Sequence, residues 1–248
     1  MMPELIFYQH AAQMLISERI ALCDGQRDHG EPGRDALPAP LQHLVESLGK
    51  RPARRTLRLV KEKGLSKIVG ISGSASSSSR TRSIVEATLG RIAARTDGET
   101  HLISIADLVA DLGIATRSEA SPRVEEALRL IETADLLIVG SPIYKGSYTG
   151  LLKHLIDLVD YRALSGVPVG LIATGGSDRH ALVVEHHLRP LFGFFCAKTL
   201  ATGVFITDTA IVDGEIVDAG LRDRLDQLTN EAVEALVSVR ERQTAPAS

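Results

Sequence analysis

The chain has 248 residues, a formal net charge of −3 and 44% hydrophobic residues. This length allows one α/β domain or two small ones, and the hydrophobic content is enough to fill a core. A net charge close to zero gives no reason to expect nucleic acid as a partner. No apolar run approaches the roughly 20 residues that a membrane helix needs, so no membrane association is expected.

Residues 1–64 differ in composition from the rest and are predicted to be a loosely structured extension before a domain at residues 65–248. Residues 50–63 contain seven basic residues and a single acidic one, Glu62, so the extension is basic near its end. We interpret this run as a solvated linker. A basic arm for nucleic acid or an acidic partner, and a translation start further downstream, are the alternatives.

The compartment follows from the cysteines and the N-terminus. Cys23 and Cys196 form no metal-binding or redox motif, and no disulfide framework is expected. Cys196 is predicted to be a small core residue. The first residues lack a basic segment, and Glu18 and Arg19 interrupt the apolar stretch, which excludes a signal peptide. We therefore expect a cytoplasmic protein.

A short apolar run over residues 67–71 predicts a first strand that is covered on both faces. It leads into small hydroxyl residues and then into an amphipathic helix at residues 81–95, with Arg80 and Arg82 at its start. Gly73 permits a sharp turn and a close approach of a ligand to the backbone.

This loop offers hydroxyl and N–H donors, the positive end of a helix dipole and two arginines, which together indicate a pocket for a phosphate monoester. It is neither a P-loop nor the dinucleotide-binding fingerprint. The alternative is a serine-rich solvated loop that binds nothing.

The rest of the chain alternates strands with helices, which predicts an α/β fold with a parallel sheet covered on both faces. The helix at residues 151–160 is apolar on more than one face, so we expect the sheet and a further surface, such as another subunit, to cover it. Pro190 is expected to bend or end its helix. The predicted strands are residues 100–105, 135–141, 168–174 and 197–206; the predicted helices are residues 123–133, 151–160, 180–192 and 221–240; a hairpin is predicted at residues 211–217.

Ligands of such sheets bind at the carboxyl ends of the strands. Three candidate loops, at residues 72–82, 141–150 and 174–178, are predicted to share that edge. One phosphate loop and two loops of small and aromatic residues suit a flat ring that a polyol joins to a phosphate, which describes FMN.

The same loops, in the same order, resemble those of the NAD(P)H-dependent FMN reductases. The residues that carry the resemblance are 70–74 with 79–82, 141–153 and 173–177. The similarity is closest to the reductase components of two-component alkanesulfonate or methanesulfonate monooxygenases. It covers about residues 67–236 and leaves the first 64 residues outside.

The resemblance implies a flavodoxin-like, doubly wound, five-stranded parallel sheet with strand order 2-1-3-4-5. It also implies three groups of FMN-binding residues. The phosphate would be held by Ser74, Ser79, Arg80, Thr81 and Arg82; the ring would lie along Pro142, Ile143, Tyr144 and Lys145; its pyrimidine end would meet Thr174, Gly175, Gly176 and Ser177. No catalytic side chain is expected, because hydride transfer is chemistry of the cofactors.

Several side chains have two interpretations. Tyr144 packs on the ring or fills the core, and Lys145 stabilises reduced flavin near N1 or is a surface lysine. Tyr148 is predicted at the start of the third helix, which in relatives that release their flavin carries a bulge and packs at a tetramer interface. We hypothesise that Tyr148 does so here, in a homo-oligomer (a dimer or homotetramer). A metal site is one interpretation of three histidines, His180, His186 and His187. Because no carboxylate or cysteine lies at ligand spacing, we interpret them as helix-surface residues and expect no metal.

The resemblance implies NAD(P)H-dependent reduction of FMN to FMNH2, which is supplied to a flavin-dependent monooxygenase. The first alternative is a reductase that retains FMN and reduces quinones, azo dyes or metal oxyanions. The second is a flavodoxin-like electron carrier. We rank the carrier last because the chain is longer than a flavodoxin and lacks an acidic face.

Overall fold

The structure is a computed structural model that describes residues 65–212 and 215–244. The predicted extension at residues 1–64, with Cys23, lies outside the described residues, as do Asp213 and Gly214 of the predicted hairpin and the last four residues. No helix in the described part of the chain is long and apolar enough to cross a bilayer.

A parallel sheet forms the centre of the domain. Within the described residues its five strands run in the order β2-β1-β3-β4-β5. The central strands are almost wholly buried, because helices cover both faces, and this explains their near-continuous apolar sequences. The predicted fold and strand order are confirmed. The strands are β1 (Lys67–Ser72), β2 (Glu99–Ser104), β3 (Leu136–Pro142), β4 (Pro168–Gly175) and β5 (Lys198–Thr207).

Helices connect the strands, and a small antiparallel hairpin follows the sheet. Ser121 accepts a hydrogen bond from the Val124 N–H and Pro122 opens the next helix, as expected for a capped start. The helices are α1 (Arg80–Ala93), α2 (Ile105–Leu108), α3 (Pro122–Glu132), α4 (Gly150–Asp157), α5 (Arg189–Gly193) and α6 (Ala219–Thr244), with 3-10 turns at Arg117–Glu119, Asp178–His180 and Asp208–Ala210, a π turn at Val184–Leu188, and strands β6 (Ile211–Val212) and β7 (Glu215–Ile216).

Two hydrophobic layers lie on opposite faces of the sheet. One is formed by α1 and α6, through side chains such as Leu89 and Leu228. The other is formed by α2, α3, α4 and the segment that contains the π turn and α5, through side chains such as Leu128 and Phe192. This three-layer arrangement leaves the carboxyl edge of the sheet to the loops.

Helix α4 is shorter than predicted and ends at Asp157. Its apolar side chains Leu152, Leu155 and Ile156 are fully buried within this chain. They pack in the same layer as Leu188 and Phe192. The second covering surface is therefore supplied by the chain's own neighbouring elements, and burial of this helix needs no other subunit.

Two other predictions are corrected. The helix predicted at residues 180–192 is divided into a 3-10 turn, a π turn and α5. The π turn ends two residues before Pro190, which has no N–H to continue an α-helical hydrogen-bond ladder. Cys196 is an exposed free thiol and not a core residue. It occupies a left-handed turn (φ of 55°), in which its carbonyl accepts a hydrogen bond from the Gly166 N–H.

Gly140 on β3 lies directly under α1, and a Cβ atom there would lie 2.5 Å from Val85 Cγ2 and 3.0 Å from Thr81 Cγ2. We expect Gly140→Ala to lower the free energy of unfolding by about 1–3 kcal/mol, because α1 must shift away from the sheet. Urea denaturation measures this. Gly90→Ala is the matched control, since a Cβ at Gly90 meets nothing within 4 Å. This substitution replaces a helix-interior glycine and should therefore raise the free energy of unfolding by about 0.5–1 kcal/mol. Equal effects of the two substitutions would contradict the prediction.

Candidate functional site

The three predicted loops meet at one edge of the sheet. Parallel pairing places Ser72 beside Gly140, Pro142 beside Thr174, and Gly175 beside Thr207. The ends of β1, β3, β4 and β5 therefore lie side by side. The prediction that these loops share the carboxyl edge is confirmed.

The first loop begins with a very close backbone approach. The Gly73 N–H donates to the Gly140 carbonyl at 2.7 Å. A Cβ at Gly73 would lie 3.0 Å from Leu152 Cδ2 and 3.1 Å from the Gly140 oxygen. Ser74 is buried, and its hydroxyl accepts a hydrogen bond from the Ser76 N–H at 3.2 Å. Gly73 thus lets the chain turn tightly across β3, and Ser74 holds the shape of the loop.

The start of α1 carries positive charge. Ser79 caps the helix by accepting a hydrogen bond from the Arg82 N–H, and the first turn contains no acidic residue. Both arginines nevertheless have carboxylate partners: Arg82 Nη1 lies 3.3 Å from Asp107 Oδ2, and Arg80 Nη1 lies 3.2 Å from Asp208 Oδ1. The helix end retains the N–H groups and dipole that suit an anion.

A buried hydrogen bond joins the first loop to the third. The hydroxyls of Thr81 and Thr174 lie 2.7 Å apart. Both residues are almost fully buried. Two residues that the resemblance assigns to different parts of FMN are therefore in direct contact.

The second loop forms a tight two-residue turn. Tyr144 and Ser147 exchange backbone hydrogen bonds of 2.9 and 3.2 Å. Lys145 and Gly146 between them have φ values of 53° and 81°, as in a type I′ turn. The left-handed conformation costs a lysine about 1–2 kcal/mol. Pro142 lies buried at the base of this loop.

The turn presents Tyr144 to solvent. Its side chain is 59% exposed, so the interpretation of Tyr144 as a core residue is wrong. Lys145 is also exposed, whereas Ile143 beneath them is buried. The loop therefore has an apolar base, with an aromatic and a cationic side chain at its rim.

Thr149 ties the second loop to the first. Its buried hydroxyl donates to the Gly73 carbonyl at 2.6 Å and accepts from the Leu152 N–H, which caps α4. Its own N–H donates to the Ser141 hydroxyl. One side chain thus fixes the ends of two loops and the start of a helix.

Tyr148 lies outside α4, whose N-cap is Thr149 and which is a regular α-helix. The structure places a π turn instead at Val184–Leu188, where His187 faces Tyr148 edge-on with 6.4 Å between ring centroids. His187 Nδ1 lies 3.2 Å from the Ser147 hydroxyl. His187, which was predicted only as a helix-surface residue, thus contacts the second loop. The described residues contain no group of three His, Cys, Asp or Glu side chains able to hold a metal.

An ion pair fixes the segment that carries His187. Arg189 donates to the Glu185 carboxylate at 2.6 and 2.8 Å and to the Leu200 carbonyl at 2.7 Å. Hydrogen bonding by Arg189 lowers the pKa of Glu185, and the same bonds raise the pKa of Arg189. Arg189 therefore pairs with Glu185 of the π turn and links this segment to β5 through the Leu200 carbonyl.

The third loop follows β4. The Thr174 carbonyl accepts a hydrogen bond of 2.8 Å from the Ile143 N–H, which holds this loop against the second one. Gly175 is buried and Gly176 is exposed. Ser177 caps the following 3-10 turn by accepting from the Arg179 N–H. Gly176 has no side chain, so this loop presents backbone there, beside the half-buried Ser177 and the exposed Asp178.

Sequence reasoning missed the loop after β5. Asp208 opens a 3-10 turn there and pairs with Arg80 of the first loop. A Cβ at Gly176 would lie 3.8 Å from Asp208 Oδ2. The rule that ligands bind at the carboxyl ends of strands applies to β5 as well, and it would have brought Asp208 into consideration.

Residues 66–211 match the profile of a family described as NADPH-dependent FMN reductase. The chain belongs to this family. The resemblance noted in the sequence is confirmed, and the protein is an oxidoreductase that uses FMN and NAD(P)H.

Individual relatives agree with this assignment. The NADH-dependent FMN reductase SfnF of Pseudomonas fluorescens is 48% identical over 64% of this chain and 86% of its own length. An FMN reductase (NADPH) of Pseudomonas aeruginosa is 43% identical over the same shares of the two chains. The apo crystal structure of NADH:FMN oxidoreductase (EMOB) is 34% identical, with a TM-score of 0.58, over 69% of this chain and 88% of that one.

Thr149 offers a test of how the loops are held. Thr149→Val removes the donor to the buried Gly73 carbonyl, so we expect the free energy of unfolding to fall by about 1–3 kcal/mol in urea denaturation. Thr149→Ser keeps the hydroxyl and should retain most of that stability. If Thr149→Val is as stable as the wild type and Thr149→Ser is destabilised, packing of the threonine methyl group and not the hydrogen bond holds the loops.

Proposed function

We propose that this flavin reductase uses FMN as a substrate: it reduces FMN with NAD(P)H and supplies FMNH2 to a flavin-dependent monooxygenase of sulfonate-sulfur or related metabolism, in the cytoplasm. The observation that carries the proposal is the meeting of an anion-binding helix start with the Tyr144 loop at one edge of the sheet. The 48% identity to a reductase named SfnF supports it.

The described residues fit FMN. The N–H groups at the start of α1, with Arg80 and Arg82, suit its phosphate, and the tight turn at Gly73 leads the chain from β1 into this loop. Exposed Tyr144 over the buried base of its loop suits the flat ring. The accessible backbone of Gly176 suits the polar pyrimidine end.

The roles of individual residues follow from this fit. Bound FMN would supply the redox chemistry by accepting a hydride from the nicotinamide. The protein contributes binding and orientation, and no side chain acts as acid or base. Ser74 and Thr81 shape the phosphate loop, Ser79 caps the helix that faces it, Pro142, Ile143, Tyr144 and Lys145 border the ring, and Thr174, Gly175, Gly176 and Ser177 form the opposite wall.

The first experiment asks whether FMN is a substrate or a fixed group. We expect the freshly purified protein to be colourless and to oxidise NADH or NADPH only when FMN is added, with saturation. Absorbance spectra and NAD(P)H oxidation rates measure this. A yellow protein that turns over only with an added quinone, azo dye or metal oxyanion would replace the proposal with the FMN-retaining reductase. A yellow protein inert to both nucleotides would identify an electron carrier.

We also propose that the chain forms a homo-oligomer through a groove beside Tyr148. The groove has a volume of about 740 Å³ and is lined by residues of α4, the π turn and the segment after it. Phe194 and Tyr161 in it are 72% and 56% exposed. A second copy would cover these aromatic side chains, and the groove's continuity with Tyr148 and His187 would couple assembly to the flavin site.

Phe194→Asp tests this interface. We expect the wild-type protein to be a dimer or tetramer and the variant to be smaller, because a carboxylate cannot be buried there without a partner. Size-exclusion chromatography with light scattering measures the mass. Val109→Asp is the control, since Val109 is also exposed (44%) but lies outside the groove. A monomeric wild type, or an unchanged mass of Phe194→Asp, would refute the proposed interface.

A further inference from the structure

Asp208 is a carboxylate placed among residues proposed to bind FMN. It follows β5, whose last residue, Thr207, pairs with Gly175 of the third loop. Its Oδ1 lies 3.2 Å from Arg80 Nη1, and its backbone carbonyl lies 3.4 Å from the same nitrogen. Its other carboxylate oxygen lies close to Gly176. Asp208 therefore lies between the start of α1 and the third loop.

The ion pair is poorly suited to stabilising the fold. The side chains of Arg80 and Asp208 are 53% and 43% exposed. Exposed pairs of this kind contribute little to stability, because water screens them and both side chains lose freedom. Fold stability therefore does not account for the placement of Asp208 beside Arg80.

A phosphate monoester carries a charge of about −1.5 to −2 at neutral pH. At the start of α1 such a group would be attracted by Arg80 and by the helix N–H groups, and repelled by a neighbouring carboxylate. It would have to take Arg80 away from Asp208 before forming its own ion pair. A carboxylate here therefore weakens the binding of a phosphorylated ligand, and it leaves the contacts of the ligand's uncharged part with the protein unchanged.

We propose that Asp208 competes with the FMN phosphate for Arg80 and so sets a low affinity for FMN. The inference rests on the proposed function, because it assumes that the phosphate meets Arg80. It deepens that function by naming a specificity-determining residue. A reductase that hands its flavin to another enzyme needs FMN to dissociate, and an internal competitor for one phosphate ligand shortens the time for which FMN stays bound.

Asp208→Asn should lower the Kd for FMN by about threefold to tenfold, since one competing charge is removed. The Kd for riboflavin, which lacks the phosphate, should change by less than about twofold. Quenching of flavin fluorescence measures both values on the full chain. The gain for FMN should shrink at high ionic strength, because salt screens exposed charges. Asp208→Ser should reproduce the gain, which ties it to the lost charge.

Asp226→Asn is the matched control. Asp226 forms an exposed ion pair with Arg91 at the other end of α1. Its substitution removes the same charge as Asp208→Asn, but far from the loops. It should leave both flavin affinities unchanged. A double-variant cycle tests the competition itself: in an Arg80→Gln background, Asp208→Asn should have lost most of its effect.

The outcomes separate the inference from the proposed function. If neither the wild type nor Asp208→Asn binds FMN better than riboflavin, the phosphate assignment fails, and the inference fails with it. If the wild type prefers FMN but Asp208→Asn leaves that preference unchanged or reduces it, the proposed function stands and the role of Asp208 is refuted. An equal gain with and without Arg80 would also refute competition for that arginine.

Discussion

The arrangement of the site depends on the close approach of two backbones at Gly73 and Gly140. The Gly73 N–H reaches the Gly140 carbonyl at 2.7 Å, and the Gly73 carbonyl accepts the Thr149 hydroxyl at 2.6 Å. Neither glycine has room for a side chain. The first loop, the end of β3 and the start of α4 are therefore held as one unit. Small residues at these points are therefore a packing requirement.

The sheet was predictable from sequence because its central strands are buried on both faces. Burial demands continuous apolar residues, as in β3 (Leu136–Pro142), and gives a pattern that is hard to mistake. The loops were predictable for a related reason, since parallel strands bring their carboxyl ends to one edge. Element ends differed by up to four residues: α6 ends at Thr244 and not at residue 240, and α4 ends at Asp157 and not at Asp160. There local caps decide the boundary, and periodicity does not report them.

What could not be predicted depends on contacts between distant residues. The 128-residue separation of Arg80 and Asp208 leaves no local signal of their ion pair. His187 contacts Tyr148 from within a π turn, and a helical pattern of apolar residues does not distinguish that turn from an α-helix. A free cysteine usually lies in the core, yet Cys196 occupies a left-handed turn that exposes it. In each case tertiary structure, and not residue type, sets the environment.

Both arginines at the start of α1 meet carboxylates from other elements, Arg82 through Asp107 and Arg80 through Asp208. Such pairing holds the guanidinium groups in place, and it also neutralises part of the charge that attracts a phosphate. The helix dipole supplies further attraction for an anion, although the Arg82 N–H already donates to the Ser79 hydroxyl. Under the proposed function, an FMN phosphate at this site would be recognised by geometry more than by net charge. That balance suits a ligand that must be recognised specifically and then released.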